Sequence, residues 1–175
     1  EAGKLSLETI GFRINDVIRN TVQVMEHRAS EKGLLLTYSI DERIAPVLKG
    51  DPYRLKQILL NLLSNAVKFS EKGSVDISCR LRVKYKGVQS VQLSVTDKGI
   101  GMDKEFLQNL FQNFTQEDRS VSRKFGGTGL GMTISKQLTE LMGGNITVES
   151  EKNVGTTITL VIPFSVGEDA DVPSV

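Results

Sequence analysis

The sequence predicts an α+β fold, a two-layer sandwich in which helices cover one face of a mostly antiparallel sheet. Three observations predict it. Several separate segments carry apolar residues at helical spacing. The segments that alternate apolar and polar residues come mainly in consecutive pairs, which is typical of antiparallel hairpins. The regular strand–helix alternation that a doubly wound parallel sheet requires is missing.

The helices are predicted from apolar residues that recur every three or four positions. The first helix covers residues 14–31, the second covers residues 51–69, and a later one covers residues 128–142. A shorter helix is expected over residues 103–112. Glycines follow the first helix and the later one, which is a common way for a helix to end.

The second helix carries the most informative residues in the chain. Asp51 can cap its free amides, and Pro52 suits its first turn. One broad face is apolar, which predicts burial. A second arc, about 80° wide, is polar, and it consists of Arg54, Gln57, Asn61, Asn65 and Lys68. Because buried polar groups need partners, the last three predict a ligand that bears oxygens together with a metal ion.

The strands are predicted from alternation of apolar and polar residues. The clearest strand places its apolar side chains on one buried face, namely Val75, Ile77, Cys79, Leu81 and Val83. After a turn, the next strand buries Val91, Leu93 and Val95 and continues inward to Asp97. A short strand is predicted over residues 34–40, with a loop over residues 41–50. A final hairpin begins at Ile146 and ends at Pro163.

Composition limits the classes of function. A net charge of +1 gives no electrostatic argument for binding nucleic acid or a membrane surface. No apolar run approaches the ~20 residues of a membrane span, and no signal peptide is visible. The single cysteine, Cys79, forms neither an internal disulfide nor a zinc motif, and it fits a reducing compartment.

Two glycine-rich segments can bind a ligand through the backbone. Asp97-Lys98-Gly99-Ile100-Gly101 follows a strand, and its carboxylate can accept a hydrogen bond from an amine and from water. These five residues alone are equally compatible with a plain turn. The segment from Gly126 to Gly131 opens a helix with four glycines in six residues, which favours phosphate binding over a flexible loop. It matches neither a Walker A loop nor a dinucleotide fingerprint.

Taken together, these segments resemble the ATP-binding catalytic domain of sensor histidine kinases. The resemblance rests on the order of five motifs, namely Asn61…Asn65-Ala66-Val67-Lys68-Phe69, Asp97-x-Gly99-x-Gly101, Phe111-x-x-Phe114, Gly127-Thr128-Gly129-Leu130-Gly131 and Gly155-Thr156. They are similar to the family's N, G1, F, G2 and G3 boxes.

The resemblance covers residues 12–164. Residues 1–11 resemble the linker or tail of an upstream dimerisation helix, especially that of hybrid kinases. Residues 165–175 are expected to form a frayed acidic tail.

The resemblance implies a Bergerat ATP-binding fold with a mixed, largely antiparallel sheet. At the adenine, Asp97 would bind the amino group, Thr156 would lie nearby through water, and Phe69 would flank the nucleotide. Asn65 would coordinate Mg²⁺, with Asn61 beside the phosphates. The remaining predicted nucleotide-binding residues are Gly99, Gly101, Gly127, Thr128, Gly129, Leu130 and Gly131.

The predicted catalytic residues are Asn61, Lys68 and Arg123, with Lys68 in contact with phosphate. Residues 103–126 would form an ATP lid held by Phe111 and Phe114, from which Arg123 or the neighbouring Lys124 would reach the γ-phosphate.

The implied reaction is transfer of the γ-phosphoryl group from Mg-ATP to a histidine nitrogen. The only histidine, His27, is followed by Arg28 and not by the acidic residue and later proline of the family's phosphoacceptor, so it is interpreted as a surface residue. The acceptor is therefore expected on upstream dimerisation helices outside this chain. The other expected partner is a response-regulator receiver domain, and a cytoplasmic location is expected.

Two alternatives remain open. The first is an ATPase of the same superfamily, such as the gyrase-type or mismatch-repair enzymes. Those enzymes carry a general-base glutamate one turn before the metal-binding asparagine, where this chain has Asn61, whose amide cannot take a proton from water. The second is a non-catalytic nucleotide-binding adaptor. The complete set of motifs argues against lost ATP binding and leaves an inactive parent protein open.

Overall fold

The computed structural model describes residues 6–101 and 129–174. Its helices are α1 Ile14–Glu31, α2 Pro52–Phe69 and α3 Gly129–Leu141. Its strands are β1 Ile10–Phe12, β2 Leu35–Ile40, β3 Leu48–Gly50, β4 Ser74–Tyr85, β5 Val88–Asp97, β6 Asn145–Glu151 and β7 Gly155–Val166. The helix predicted over residues 103–112 lies outside the described residues.

The strands form one sheet in the order β1-β3-β7-β5-β4-β2, and β6 also pairs with β7. Neighbouring strands are antiparallel except β2 and β4, which run parallel. A parallel pair needs a long crossover, and α2 lies in the connection between these two strands. The predicted α+β fold with a mixed, mostly antiparallel sheet is confirmed.

Helix α2 lies at the centre of the apolar core. It contacts α1 and α3 and packs on β4 and β5. Its innermost side chains are at most 1% exposed, and these are Leu55, Ile58, Leu59, Leu62 and Leu63. Burying one such side chain stabilises a fold by about 1.5–3 kcal/mol. The packing therefore fixes the orientation of α2, and with it the direction in which its polar arc faces.

The structure corrects two predicted strand boundaries. The predicted loop over residues 41–50 ends in β3, a strand too short for alternation to be recognised. The last strand does not end at Pro163 but continues to Val166. The proline is tolerated because it falls between the part of β7 that pairs with β6 and the part that pairs with β3.

The inward assignment of Val83 is wrong. Its side chain is 55% exposed because the register of β4 shifts between Leu81 and Val83, and beyond the shift Val83 pairs with Ser90. The Leu81 amide donates to Asp41 Oδ2 at 3.1 Å, and Arg43 binds the same carboxylate at 2.8 Å. These hydrogen bonds, with Arg43 the larger cause, hold the pKa of Asp41 well below its usual range.

The sheet extends beyond residues 12 and 164 at both ends. Residues 169–171 of the predicted frayed tail form a 3-10 turn. Arg13 pairs with Asp169 at 2.8 Å, and the Gly167 amide donates to the Val47 carbonyl at 2.9 Å. These two contacts attach the C-terminal segment to the rest of the domain. Within the described residues, no helix is long and apolar enough to cross a membrane.

Candidate functional site

Several predicted site residues meet where the C-terminal end of α2 approaches the ends of β5 and β7. The amide of Ile100 donates to the carbonyl of Phe69, the last residue of α2, at 3.4 Å. Asp97 is the last residue of β5 and lies opposite Thr156 of β7. A helix terminus and two strand ends therefore bring Phe69, Asp97 and Thr156 to one edge of the sandwich.

Asp97 is a nearly buried carboxyl group, with 9% of the residue exposed. Its Oδ1 accepts a hydrogen bond from the Gly99 amide at 2.8 Å. Burial raises the pKa of Asp97, while hydrogen bonds from the Gly99 and Thr156 amides oppose that rise. A carboxyl group in such a position gains from any further donor, and a ligand amine would provide one.

The glycines after Asp97 permit close packing of backbone segments. A Cβ on Gly99 would lie 2.3 Å from the Phe69 carbonyl oxygen. A Cβ on Gly101, whose φ is +69°, would lie 2.0 Å from the Glu151 carbonyl oxygen. Sequence reasoning explained these glycines by close approach of a ligand. The structure gives them a reason inside the protein, because they let the loop fit between α2 and the β6–β7 turn.

Thr156 is buried at the start of β7 and has a partner that the sequence did not indicate. Its Oγ1 lies 2.7 Å from Ser150 Oγ, and Ser150 also donates to the Gly155 carbonyl at 3.0 Å. These bonds hold the threonine hydroxyl beside the strand end that carries Asp97. A serine in an alternating strand gives no sequence signal for such a contact.

The polar stripe of α2 divides into two parts. Arg54 donates to Gln57 at 3.1 Å, so this part of the stripe interacts along the helix itself. Asn61 reaches another helix, because its Nδ2 donates to Ser135 Oγ of α3 at 3.2 Å. Ser135 is fully buried and was missed by sequence reasoning, since one hydroxyl on an apolar helix is not a recognisable signal.

The last turn of α2 carries the remaining predicted residues. Asn65 and Phe69 are half-buried, and Lys68 is exposed. Lys32, just after α1, donates from Nζ to the Val67 carbonyl at 2.7 Å and to the Lys68 carbonyl at 3.0 Å. It therefore satisfies carbonyls that a helix C-terminus leaves without intrahelical partners. Sequence reasoning missed this residue too.

The predicted phosphate loop is described only in part. Gly129, Leu130 and Gly131 form the first turn of α3, so the backbone starts a helix where the sequence predicted one. Residues 103–126, with Phe111, Phe114, Arg123 and Lys124, and also Gly127 and Thr128, lie outside the described residues. The functional roles assigned to all these residues stay predictions.

Comparison with known protein families identifies the family of this chain. A family model described as "Histidine kinase-, DNA gyrase B-, and HSP90-like ATPase" matches residues 50–166, a range that contains α2, the Asp97 loop and β7. The chain belongs to this family. The predicted resemblance is thereby confirmed at the level of the ATPase family.

Relatives within this histidine kinase-like ATPase family include long signalling proteins. The chain is 40% identical over 166 residues to "Hybrid signal transduction histidine kinase B" of Dictyostelium discoideum, a match that covers 95% of the chain and 8% of that protein. The chain thus spans less than a tenth of that relative's length.

Solved structures support the same family membership. ShkA in complex with AMPPNP superposes with a TM-score of 0.76 at 32% identity, covering 95% of the chain and 33% of ShkA. The nucleotide-free catalytic domain of histidine kinase ThkA gives a TM-score of 0.72 at 26% identity, covering 89% of the chain and 95% of that domain. Both comparisons confirm the fold.

Proposed function

We propose that this chain is the ATP-binding catalytic domain of a hybrid-type sensor histidine kinase. It binds Mg-ATP and donates the γ-phosphoryl group to a histidine on dimerisation helices that lie outside the chain. The observation that carries the proposal is the nearly buried Asp97 at the meeting point of α2, β5 and β7. Proteins named as histidine kinases among its relatives and solved neighbours support the reaction class.

The adenine end of the site is assigned to Asp97, Phe69 and Thr156. Asp97 already accepts one backbone amide, and its ionised form is disfavoured by burial. The exocyclic amino group of adenine offsets this cost by donating a further hydrogen bond to the carboxylate. Thr156 adds a hydroxyl for a bridging water, and the Phe69 ring flanks the base.

The phosphate end is assigned to the last turns of α2 and the first turn of α3. Backbone amides at a helix start favour a negatively charged phosphate, and the described part of that turn is Gly129, Leu130 and Gly131. Gly127, Thr128 and Arg123 are proposed to complete this end. The ammonium of Lys68 is exposed at the end of α2, where it can reach a phosphate.

Asn65 fits a role as Mg²⁺ ligand. Its side chain is half-buried and carries an amide oxygen, the hard ligand type that Mg²⁺ takes together with water and substrate phosphate. When bound, the ion would neutralise phosphate charge. Asn61, one turn earlier, lies at the position where hydrolytic relatives hold a general base, and an amide there favours phosphoryl donation over hydrolysis.

The proposed partners are the dimerisation helices of the parent protein and a receiver domain, in a cytoplasmic setting. Nucleic acid and direct membrane contact are not part of the proposal. His27 is not the proposed acceptor, because Arg28 follows it in place of the acidic residue of the family's phosphoacceptor. Its side chain is 83% exposed on α1 and lies 3.2 Å from Glu31. That arrangement is an ordinary helix-surface pair, which contributes little to stability.

Calorimetric titration of the chain with ATP, with and without Mg²⁺, tests the binding step. We expect saturable binding that Mg²⁺ strengthens. Asp97→Asn should weaken ATP binding far more than binding of inorganic triphosphate, which has no adenine. Asp76→Asn, on β4 of the same sheet, is the control and should bind ATP normally. No binding at millimolar ATP, or equal losses for ATP and triphosphate in Asp97→Asn, contradicts the assignment.

The transfer step is tested by adding the dimerisation helices of a related hybrid kinase in trans. With γ-labelled ATP, we expect acid-labile phosphohistidine on the added helices and little phosphate release by the chain alone. Sustained multiple-turnover hydrolysis without an acceptor would instead identify an ATPase.

A further inference from the structure

We propose that Ser135 is a positioning residue that fixes the amide group of Asn61 and thereby couples α3 to α2. This inference rests on the proposed function, because Asn61 is assigned to the phosphate end of the site. The hydrogen bond from Asn61 Nδ2 to Ser135 Oγ measures 3.2 Å and joins residues 74 positions apart. Ser135 is 0% exposed, so water does not compete for its hydroxyl.

This bond joins the two helices, α2 and α3, to which the phosphate end of the site is assigned. Ser135 lies six residues after Gly129, about 9 Å along α3 from the helix start. Asn61 lies one turn before Asn65, the proposed metal ligand, on the same stripe of α2. The bond therefore connects the helix whose first turn is proposed to bind phosphate to the helix that carries the proposed metal ligand.

The chemistry of an asparagine side chain explains how the bond to Ser135 acts on the whole amide group. The amide is planar, so fixing its nitrogen also fixes the direction of its oxygen about the side-chain torsions. In the structure the amide nitrogen donates and the Ser135 oxygen accepts. This bond restrains the Asn61 side chain before nucleotide arrives, which lowers the entropy lost on binding.

Ser135→Ala is the direct test. Without the hydroxyl, the Asn61 amide has lost this acceptor and its side chain must be immobilised when nucleotide binds, so we expect Mg-ATP binding to weaken about five-fold. Adenosine binding, followed by amide NMR shifts, should not change because it depends on the Asp97 end. The NMR signals of the Asn61 side-chain NH₂ should also move in the nucleotide-free protein.

A matched control is available on the same helix. Thr139 is also fully buried, and its hydroxyl donates to the Ser135 carbonyl at 2.7 Å rather than to α2. Thr139→Ala therefore removes a buried hydroxyl one turn further on and should leave Mg-ATP binding within two-fold of the unaltered protein. Thermal unfolding of both variants shows whether α3 remains folded.

A double-mutant cycle separates positioning from general damage. In an Asn61→Ala background, Ser135→Ala should cause no further loss, because the group that it positions is gone. Additive losses, a parallel loss of adenosine binding, or an unshifted Asn61 NH₂ signal would each overturn the role of Ser135. Absence of Mg-ATP binding by the unaltered protein would instead refute the proposed function, whereas the NMR comparison would still report on the Asn61–Ser135 bond.

Discussion

The two ends of α2 are capped in different ways: the free backbone groups at each end are satisfied by different kinds of partner. At the N-terminal end, Asp51 Oδ1 accepts hydrogen bonds from the amides of Tyr53 at 3.1 Å and Arg54 at 3.0 Å. The carboxylate is buried, and its other oxygen accepts from the Glu8 amide at 2.9 Å. Most of this capping is local, so Asp51 and Pro52 could be recognised directly in the sequence.

At the C-terminal end, residues distant in sequence provide the partners. Lys32 Nζ donates to the carbonyls of Val67 and Lys68, and the Ile100 amide donates to the carbonyl of Phe69. This is also the end at which the predicted nucleotide-binding residues gather. The N-terminal end, which is capped mainly by its own residues, therefore contributes mainly to stability. The C-terminal end, which is capped by residues from several segments, provides the surface on which a ligand can be recognised.

The largest expected effect comes from Gly99→Ala at the C-terminal end. The new Cβ would lie 2.3 Å from the Phe69 carbonyl oxygen, which is backbone and cannot move aside independently. We expect the free energy of unfolding to fall by about 2–3 kcal/mol and ATP affinity to fall more than ten-fold. Urea denaturation and calorimetry measure the two quantities.

The control for that variant is Gly87→Ala in the β4–β5 turn. Gly87 has φ +77° but no atom within 4 Å of the added Cβ. It should cost about 1 kcal/mol through backbone strain and leave ATP affinity unchanged. If the two glycine variants lost equal ATP affinity, the assignment of nucleotide binding to the C-terminal end of α2 would be contradicted.

Asp51→Ala tests the opposite end. It removes the acceptor for three backbone amides, and we expect a loss of about 1–2 kcal/mol, or roughly 4 °C in Tm, without a change in ATP affinity. Asp16→Ala is the control, because Asp16 lies exposed in the first turn of α1 and pairs along the helix with Arg19. A marked loss of ATP affinity in Asp51→Ala would show that the two ends are not separate.

Lys32→Met sharpens the comparison at the C-terminal end. The apolar stem is retained while the ammonium that caps α2 is lost, so stability should fall by about 0.5–1 kcal/mol. ATP affinity should fall a few-fold as well, since the last turn carries the proposed phosphate contact of Lys68. Lys72→Met, at an exposed position beyond α2, should alter neither quantity.

Asp97→Asn has the smallest expected effect on stability, and the effect is favourable. Because burial raises the pKa of Asp97 above its ordinary 3.8, its contribution to stability is complete below that value and is lost as pH rises through the raised pKa. At pH 7 the neutral amide avoids this cost, so nucleotide-free Asp97→Asn should melt about 2 °C higher while binding ATP more weakly. The difference in Tm should vanish in acid. An unchanged or lower Tm at pH 7 argues against a desolvated carboxylate.

Much of the fold could be predicted because its signals are local. Apolar periodicity located all three described helices, and alternation located the β4–β5 hairpin, as far as the register shift at Val83. The shift could not be predicted, because apolar residues continue to alternate through it. Strand β3 was missed since three residues are too few to establish a pattern.

The sequence predicted many of the residues of the candidate site but not their hydrogen-bond partners. The order of the motifs indicated Asn61, Asp97 and Thr156, yet their partners Ser135 and Ser150 carry no sequence signal. The glycines were recognised as special, while the reason, close contact with the backbone of α2 and β6, required the structure.

The sequence by itself determined the helices, the main hairpins, the Asp51 cap and the chemistry of the predicted motifs. These depend on spacing and on interactions within a few residues of the chain. Only the tertiary structure decided that Lys32 closes α2, that Asn61 binds α3 and that Asp97 lies nearly buried beside Thr156. The physical reason is that such contacts join distant residues, and their distances are set by how whole helices and strands pack.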